Sequence, residues 1–362
     1  MHVVDKILRE QVNRDQTPSV QYVIFNKDHI IHRFQSGYSD IIHKRKASGY
    51  TTYHAYSVTK TFTALAVLQL AERKKLDIEE PAKKYLPGFP YSPEITIRQL
   101  LSHSAGIPNP IPLRWIHLAA EHKSFDRNDF FAQQFIKYNK TLSKPNEKYS
   151  YSNLGYVLLG QIIETVSGLS YEDYIRENIS DPLGLDPNEL GFKVAGTDLH
   201  AKGYHKKWSI SYLLLGLLIN KPKFLNTTEG KWISFKTSYV NGPSHGGLIG
   251  TSNAFARYIQ ELLRPDCGLI TDDYKKLLFT ENYTNNNKAT GMCLSWFCGE
   301  LMGNRYFAHA GGGGGYYCEL RIYPKPGIGS VIMFNRTGMS DERYLDKLDQ
   351  YIVNEKQPDG NE

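Results

Sequence analysis

The 362-residue sequence predicts an α/β fold: one antiparallel sheet formed by both chain ends and flanked by helices, with an all-helical subdomain inserted between them. Three observations carry that expectation. Strand-like stretches cluster near each end, stretches with helical periodicity fill the middle, and no internal repeat or low-complexity linker divides the chain. With 41 % hydrophobic and 22 % charged residues, the composition is globular and leaves room for a sizeable core. A single domain is expected over residues 1–362, its α/β part at about 1–60 and 240–362 and its helical part at about 61–239.

The elements follow in order. A charged, amphipathic helix is expected over residues 2–14. "SVQYVIF" (19–25) and "HIIHRFQSGY" (29–38) are expected as strands, with "NKD" (26–28) as their turn. Near the other end, "GMCLSWFC" (291–298), "NRYFAHA" (304–310), "GYYCELRIYP" (315–324) and "GSVIMFNR" (329–336) are expected as successive strands. "KPG" (325–327) separates the last two. A final helix is expected from about Asp341 to Asn354, before a polar tail, "EKQPDGNE", expected to fray.

Between these ends, "VTKTFTALAVLQLAERKKL" (58–76) has helical periodicity and carries basic residues toward its end, where the helix dipole favours them. "TIRQLLSH" (96–103), "NDFFAQQFIKY" (128–138), "NLGYVLLGQIIETVSG" (153–168) and "SYEDYIREN" (170–178) are further expected helices.

Charge and composition narrow the function. The net charge is +6 and the pI about 8.8. The densest basic block, "HKRK" (43–46), lies beside a turn-like "ASGY" and is expected as a solvated loop, so no nucleic-acid partner is expected. "ISYLLLGLLI" (210–219) is the strongest apolar run, too short for a bilayer span of about 20 residues. It is expected as a core or lid helix; the alternative is a greasy flap over an apolar substrate or a membrane surface. The opening "MHVVDKILREQVNRDQ" lacks the order of a secretion signal. The chain is expected in the cytoplasm as written, or outside it if a leader has been removed. Cys267, Cys293, Cys298 and Cys318 fit no zinc spacing, so no metal is expected. Buried free thiols are expected, with a disulfide as the alternative for an exported protein.

Three short motifs could carry chemistry. In "AYSVTKTF" (55–62), Ser57 and Lys60 stand one helical turn apart on one face. A serine hydroxyl is a poor nucleophile until a base takes its proton, and a lysine can do so when it is held neutral. Exposed N–H groups at the helix start suit a developing oxyanion. Alone, the pair also fits a helix-capping serine with a solvent-facing lysine. In "YSYSNLGY" (149–156), Tyr151 and Asn153 form Y-x-N directly before a helix. A phenol can shuttle a proton and an amide can orient a carbonyl; alone, the stretch also fits an aromatic loop capped by Asn153. "FAHAGGGGGYY" (307–317) sets five glycines between two expected strands, where a hairpin needs one or two. Such a run lets backbone approach a substrate, and His309 before it could donate to the substrate or to the tyrosine; alone, it also fits a flexible hairpin beside a satisfied histidine.

Taken together, the order and spacing of S-x-x-K, Y-x-N and H-x-G resemble the serine β-lactamase and penicillin-binding-protein superfamily. The nearest resemblance is to its class C β-lactamase-like branch, which holds D-alanyl-D-alanine carboxypeptidases, D-aminopeptidases and β-lactamase-fold esterases. "TIRQLLSHSAGIP" (96–108), "KPNEKYSYSNLGYVLLGQIIETVSGLSYEDYIRENISDPLGL" (144–185) and "HGGLIGTSNAFARY" (245–258) are similar to that branch too. The resemblance covers roughly residues 15–350 and implies a β-lactamase-like fold. It implies Ser57 as the acylated nucleophile, Lys60 as its base and Tyr151 as the group exchanging protons with serine and leaving group. Asn153 is implied to bind the substrate's amide or ester side, as are His309, Gly311 and Gly312 on the facing strand. The backbone N–H groups of Ser57 and Gly312 are implied to form the oxyanion hole.

This chain departs from the β-lactamases at His309-Ala310-Gly311, where they carry Lys-Thr-Gly. The lysine and threonine that help hold a substrate carboxylate are both missing, and His-x-Gly resembles the peptidase and esterase relatives. Asn146 stands where relatives usually have glycine. No extra C-terminal barrel domain is expected after the catalytic part, unlike in some D-aminopeptidase relatives. The resemblance thus implies a serine hydrolase acting through an acyl-enzyme on an ester or a peptide/amide bond, with weak or no β-lactamase activity. Its partner is a small-molecule ester or peptide substrate, and it needs no metal or organic cofactor. A D-alanyl-D-alanine carboxypeptidase or a β-lactamase is the alternative; a non-catalytic binding homologue is the alternative of another class. The apolar segment 204–219 is expected to wall the pocket. The sequence leaves the oligomeric state open.

Overall fold

One side chain closes the turn that opens the sheet. Asn26 Oδ1 accepts from the backbone N–H groups of Asp28 (2.9 Å) and His29 (2.9 Å), so "NKD" folds as an Asx-type turn. It joins β1 (Ser19–Asn26) to β2 (Ile30–Asp40), paired antiparallel with Val23 opposite Arg33. The computed structural model describes residues 1–194, 196–337 and 343–353. After β3 (Arg45–Lys46), the chain returns to this sheet only near its other end. There β4 (Phe297–Leu301), β5 (Asn304–Gly313), β6 (Tyr316–Tyr323) and β7 (Ile328–Phe334) run as a meander. The seven strands lie in the order β4-β5-β6-β7-β1-β2-β3, all neighbours antiparallel. The two chain ends meet at β1 and β7, with Val23 opposite Val331.

Two strand ends differ from expectation. The stretch 291–298 is extended only from Phe297. Before it, Cys293 N–H bonds Trp296 O (2.7 Å) around a left-handed Ser295, and Ser295 N–H bonds Leu101 O. Apart from a single antiparallel bridge between Met292 and Phe297, this stretch is a buried loop, and Met292, Cys293, Leu294 and Trp296 are apolar because they are buried. At the other margin, β5 continues past Ala310 and takes Gly311, Gly312 and Gly313 into the ladder. Only Gly314 and Gly315 make the turn, both at positive φ (37° and 98°), as a two-residue hairpin requires.

Five helices matter to the site and its surroundings: α1 (His2–Asn13), α2 (Thr59–Glu72), α3 (Asn153–Ser167), α4 (Ile210–Leu218) and α5 (Ser252–Leu263). The period of two along β1 divides them between the sheet's faces. Val20, Tyr22 and Ile24 meet Val4 and Leu8 of α1, while Val23 and Phe25 join the larger core with Phe255 and Ile259 of α5. α2 is buried along its length, from Thr59 to Ala71, with Phe62 stacked on Tyr258 at 3.9 Å. It is the central rod on which the site is built. The region between α2 and α5 is not helical throughout: Tyr204–Lys206, Leu225–Glu229 and Trp232–Phe235 form a small three-stranded sheet. The final helix is one turn, Asp346–Asp349, and the rest of its expected span and the tail lie outside the described residues or in turns. Among the described residues, no helix is long and apolar enough to cross a membrane.

Candidate active site

The chain enters α2 through a tight turn, Tyr56–Val58, that leaves Ser57 half-buried at the wall of a cleft. Tyr56 sits at φ 46°, a left-handed conformation that is costly for an aromatic residue and clusters at functional sites. Its ring is fixed from two sides, stacked on His54 at 5.5 Å and packed under Gly313 and Gly314. The helix-cap alternative for this stretch is not what forms. No side chain caps the start of α2, and Lys60 is 0 % exposed.

Lys60 Nζ lies 3.1 Å from Ser57 Oγ, 2.8 Å from Asn153 Oδ1 and 2.5 Å from His245 O. Two of these neighbours are carbonyl oxygens, which only accept, and the third is a hydroxyl, which can do either. A neutral amine has two N–H bonds and one lone pair. Its hydrogens match Asn153 and His245, and its lone pair is left for the serine proton. No carboxylate stands among these partners, and burial pushes the Lys60 ammonium well below the usual lysine range.

Tyr151 lines the same cleft, its ring centroid 5.0 Å from Lys60 Nζ. It is held by a residue to which the sequence reading gave no role, His103. The imidazole stacks on the Tyr151 ring at 4.2 Å. Its Nδ1 accepts from Ser152 N–H (3.1 Å) and its backbone O accepts from Ser150 N–H (2.7 Å), so His103 holds both neighbours of Tyr151. Burial pushes the His103 imidazolium well below its usual range, so the ring stays neutral and able to accept. His103 is itself at φ 54°, a left-handed backbone that histidine adopts more often than most residues. Asn146, the residue in the place of a glycine, also takes a left-handed φ (57°). Asparagine tolerates that region better than most residues, and Asn146 Oδ1 accepts from Ser104 Oγ (2.7 Å).

Asn153 is the first residue of α3; the cap is Ser152, whose Oγ accepts from Gly155 N–H (3.1 Å). Asn153 is 4 % exposed, with Oδ1 on Lys60 and Nδ2 donating to Asn109 Oδ1 (2.9 Å). It sits behind the cleft wall, against the base, and one hydrogen of Nδ2 remains for any further contact.

β5 forms the facing wall. A Cβ on Gly311 would lie 2.6 Å from Ser57 N, so only glycine allows the strand this close to the serine. Gly312, next along, is exposed at the cleft. His309 departs from its expected donor role. Its Nδ1 is 2.8 Å from Ala310 O and must donate there, which leaves Nε2 as an acceptor. Burial pushes its pKa down to about 3, so a second ring proton is not held near neutrality.

The cleft has a volume of about 1120 Å³ and brings together Ser57, Tyr151, His309, Gly311 and Gly312, with Leu113, Arg336 and Arg343 also on its walls. Segment 204–219 does not line it. That segment packs through Leu215 and Ile219 on a separate small core, which Leu113 joins. The cysteines are free thiols; Cys293 and Cys318 are buried, Cys267 and Cys298 partly exposed. Among the described residues, no group of three His, Cys, Asp or Glu side chains could hold a metal ion. Part of the "HKRK" block is engaged within the chain: His43 pairs with Asp40 (2.8 Å) and Arg45 Nη2 donates to His200 O (2.7 Å).

This architecture is a known one. The octameric penicillin-binding protein homologue from Pyrococcus abyssi superposes with a TM-score of 0.74 at 24 % identity, over 93 % of this chain and 74 % of that one. The D-amino acid amidase from Ochrobactrum anthropi SV3, solved with D-phenylalanine, gives 0.75 at 19 % identity, over 95 % of this chain and 93 % of its own. Both have the β-lactamase/penicillin-binding-protein fold. The chain belongs to the Beta-lactamase family, whose sequence profile matches residues 4–353. Penicillin-binding protein 4* of Bacillus subtilis (strain 168) is 30 % identical over 304 residues, 81 % of this chain and 63 % of that protein. Protein flp of Staphylococcus aureus (strain N315) is 28 % identical over 362 residues, 98 % of this chain and 66 % of that protein. The chain thus spans just under two thirds of the length of these relatives.

Proposed function

We propose that this chain is a serine hydrolase that cleaves ester or amide bonds through an acyl-enzyme on Ser57, with weak or no β-lactamase activity. One observation carries the reading: a fully buried Lys60, free of any carboxylate partner, 3.1 Å from Ser57 Oγ. Its lone pair takes the Ser57 proton as Oγ attacks the substrate carbonyl, and the Oγ–C bond forms. The N–H groups of Ser57 and Gly312 hold the oxyanion. Tyr151 passes a proton to the leaving group as its bond to carbon breaks and takes one back from Lys60, which returns to the neutral amine. A water then attacks the acyl-serine and loses its proton to Lys60; as the carbon–Oγ bond breaks, that proton returns to Ser57 Oγ and the acid is released. Asn153 and His245 O keep the amine oriented, with its lone pair toward the serine.

Substrate preference follows from the facing strand. His309 is neutral, so it brings no cation to the place where β-lactamases carry a lysine, and a β-lactam carboxylate loses that partner. Neutral esters and peptide or amino-acid amides are the favoured substrates. Arg336 and Arg343 on the cleft wall support a second reading, a carboxypeptidase whose substrate carboxylate they would hold instead.

A fluorophosphonate probe followed by peptide mass spectrometry tests the mechanism, with Ser57→Ala as the control. Label is expected on Ser57 alone, and absence of label on any serine would remove the mechanism. Short-chain p-nitrophenyl esters, D-amino-acid amides, D-alanyl-D-alanine peptides and nitrocefin, assayed side by side, test the substrate ranking. Ester or amide turnover well above that of nitrocefin is expected; rapid nitrocefin hydrolysis beside inert esters would reverse it.

A further inference from the structure

The apolar run expected as a core or lid helix does not bury its outer face. In α4, Ile210, Leu213, Leu214 and Leu217 fall at positions i, i+3, i+4 and i+7 and form one stripe turned to solvent. With Trp208 just before the helix, these side chains are between 52 % and 83 % exposed. The opposite side, through Leu215 and with Ile219 beyond the helix, packs on Phe224, Leu225, Ile233 and Phe235. The helix is thus anchored by one apolar face and presents a second to solvent. A contiguous exposed stripe of this size marks an interaction surface.

Charge identifies the occupant. Residues 202–236 hold seven lysines and one carboxylate, Glu229, which is buried. Lys206 and Lys207 precede α4, and Lys221 and Lys223 follow it. Lys223 pairs with Glu121 at 2.7 Å. Among the described residues no carboxylate pairs with Lys206, Lys207 or Lys221. Lys221 Nζ lies 3.9 Å over the Tyr212 ring and Lys207 Nζ 5.2 Å from the Trp208 ring, so cations flank both ends of the apolar stripe. A second copy docking here about a two-fold axis would bring lysines against lysines. A helix of nine residues is too short to span a bilayer but can lie in its plane, with tryptophan and lysine at the headgroup level.

We infer that α4 and its flanking lysines dock the protein on an anionic lipid bilayer, with the apolar stripe set into the headgroup boundary. The docked face adjoins the cleft. Arg114 donates to Leu217 O (2.7 Å) and Leu218 O (2.9 Å), and its neighbour Leu113 both packs in the core under α4 and lines the cleft. Binding to the bilayer therefore sets the cleft wall at the membrane surface.

The test floats the full chain with vesicles of phosphatidylcholine alone and of equimolar phosphatidylcholine and phosphatidylglycerol. Co-flotation with the anionic vesicles is expected, with a blue shift of tryptophan emission that Trp208→Phe removes. Lys207→Ala and Lys221→Ala should each lower the partition coefficient about fivefold. The pair Leu213→Asp and Leu217→Asp should abolish flotation while the far-UV spectrum and melting temperature stay unchanged. No flotation with anionic vesicles would overturn the inference. So would equal flotation with neutral vesicles, flotation unaffected by the leucine pair, or a self-association that the leucine pair abolishes without any vesicle binding.

Discussion

Gly311→Ala is the most direct probe of how the fold frames the serine. The added Cβ would fall against Ala55 O first, inside the 2.6 Å it would leave to Ser57 N, with Val58 N at 3.1 Å. Ordinary contact begins near ~3.5 Å, so β5 and the turn must separate by more than about 1 Å. Overpacking of this kind costs about 1–3 kcal/mol in stability. It also moves the facing strand away from the serine, and a misplacement of about 1 Å at a reacting centre costs on the order of 10²-fold in rate. Gly312→Ala supplies the contrast, because its Cβ would meet nothing closer than Tyr316 O at 3.6 Å. Neither glycine is left-handed, so space alone separates the two. Initial rates of p-nitrophenyl acetate hydrolysis and thermal melting should show Gly311→Ala slowed about 10²-fold with a lowered melting temperature, and Gly312→Ala melting like the parent. Parental rate and melting in Gly311→Ala would refute the placement of β5 against Ser57.

Two further outcomes bear on the base and its support. The Lys60 ammonium is pushed below its ordinary range, so kcat/KM should rise tenfold per pH unit on an acid limb lying below that range, then level off. Lys60→Arg, which cannot give up its proton, should lose about 10²-fold or more and show no such limb, as a pH–rate profile reports. His103 acts through Tyr151, so His103→Ala should lower kcat about 10- to 100-fold with KM little changed. His103→Asn, which tolerates the left-handed φ and keeps an acceptor for Ser152 N–H, should recover part of that loss; equal losses in both variants would reduce His103 to a packing residue.

Where local interactions decide an element, the expected spans are close: Asn26 closes the turn expected at 26–28, and the helix expected over 153–168 ends at a left-handed Gly168, although its cap is Ser152 rather than Asn153. The helix expected over 96–103 starts behind a capping box of Thr96 and Gln99. Long-range context decided the rest. The apolar residues at 291–296 are as consistent with a buried loop as with a strand, and only the contact of Ser295 with Leu101 separates the two. The run at 210–219 has the same letters whether its outer face meets protein or solvent. At the site, residue types marked the S-x-x-K, Y-x-N and H-x-G positions, and the fold gathers them at one cleft. His103 went unassigned because its use is conformational, a backbone carbonyl and a ring nitrogen placed on either side of Tyr151. The direction of His309 was also hidden, because the tautomer depends on the carbonyl of its own neighbour, Ala310.

The histidine at 309 bears on how the base is kept neutral. A lysine at that position would set a second permanent cation near Lys60 and depress its pKa through charge. His309, with its pKa near 3, brings no charge at neutral pH, and burial is the cause that lowers Lys60. In the proposed mechanism the activation of Ser57 therefore rests on the burial of Lys60. His103 and His245 are buried near Lys60 and are also kept neutral, so the three imidazoles near the amine add no charge. The arrangement separates two tasks that one cation would combine. In that mechanism burial behind the serine sets the base, and recognition of the substrate falls to the open side of the cleft, whose ionisable lining is Glu319, Arg336 and Arg343 besides the neutral His309.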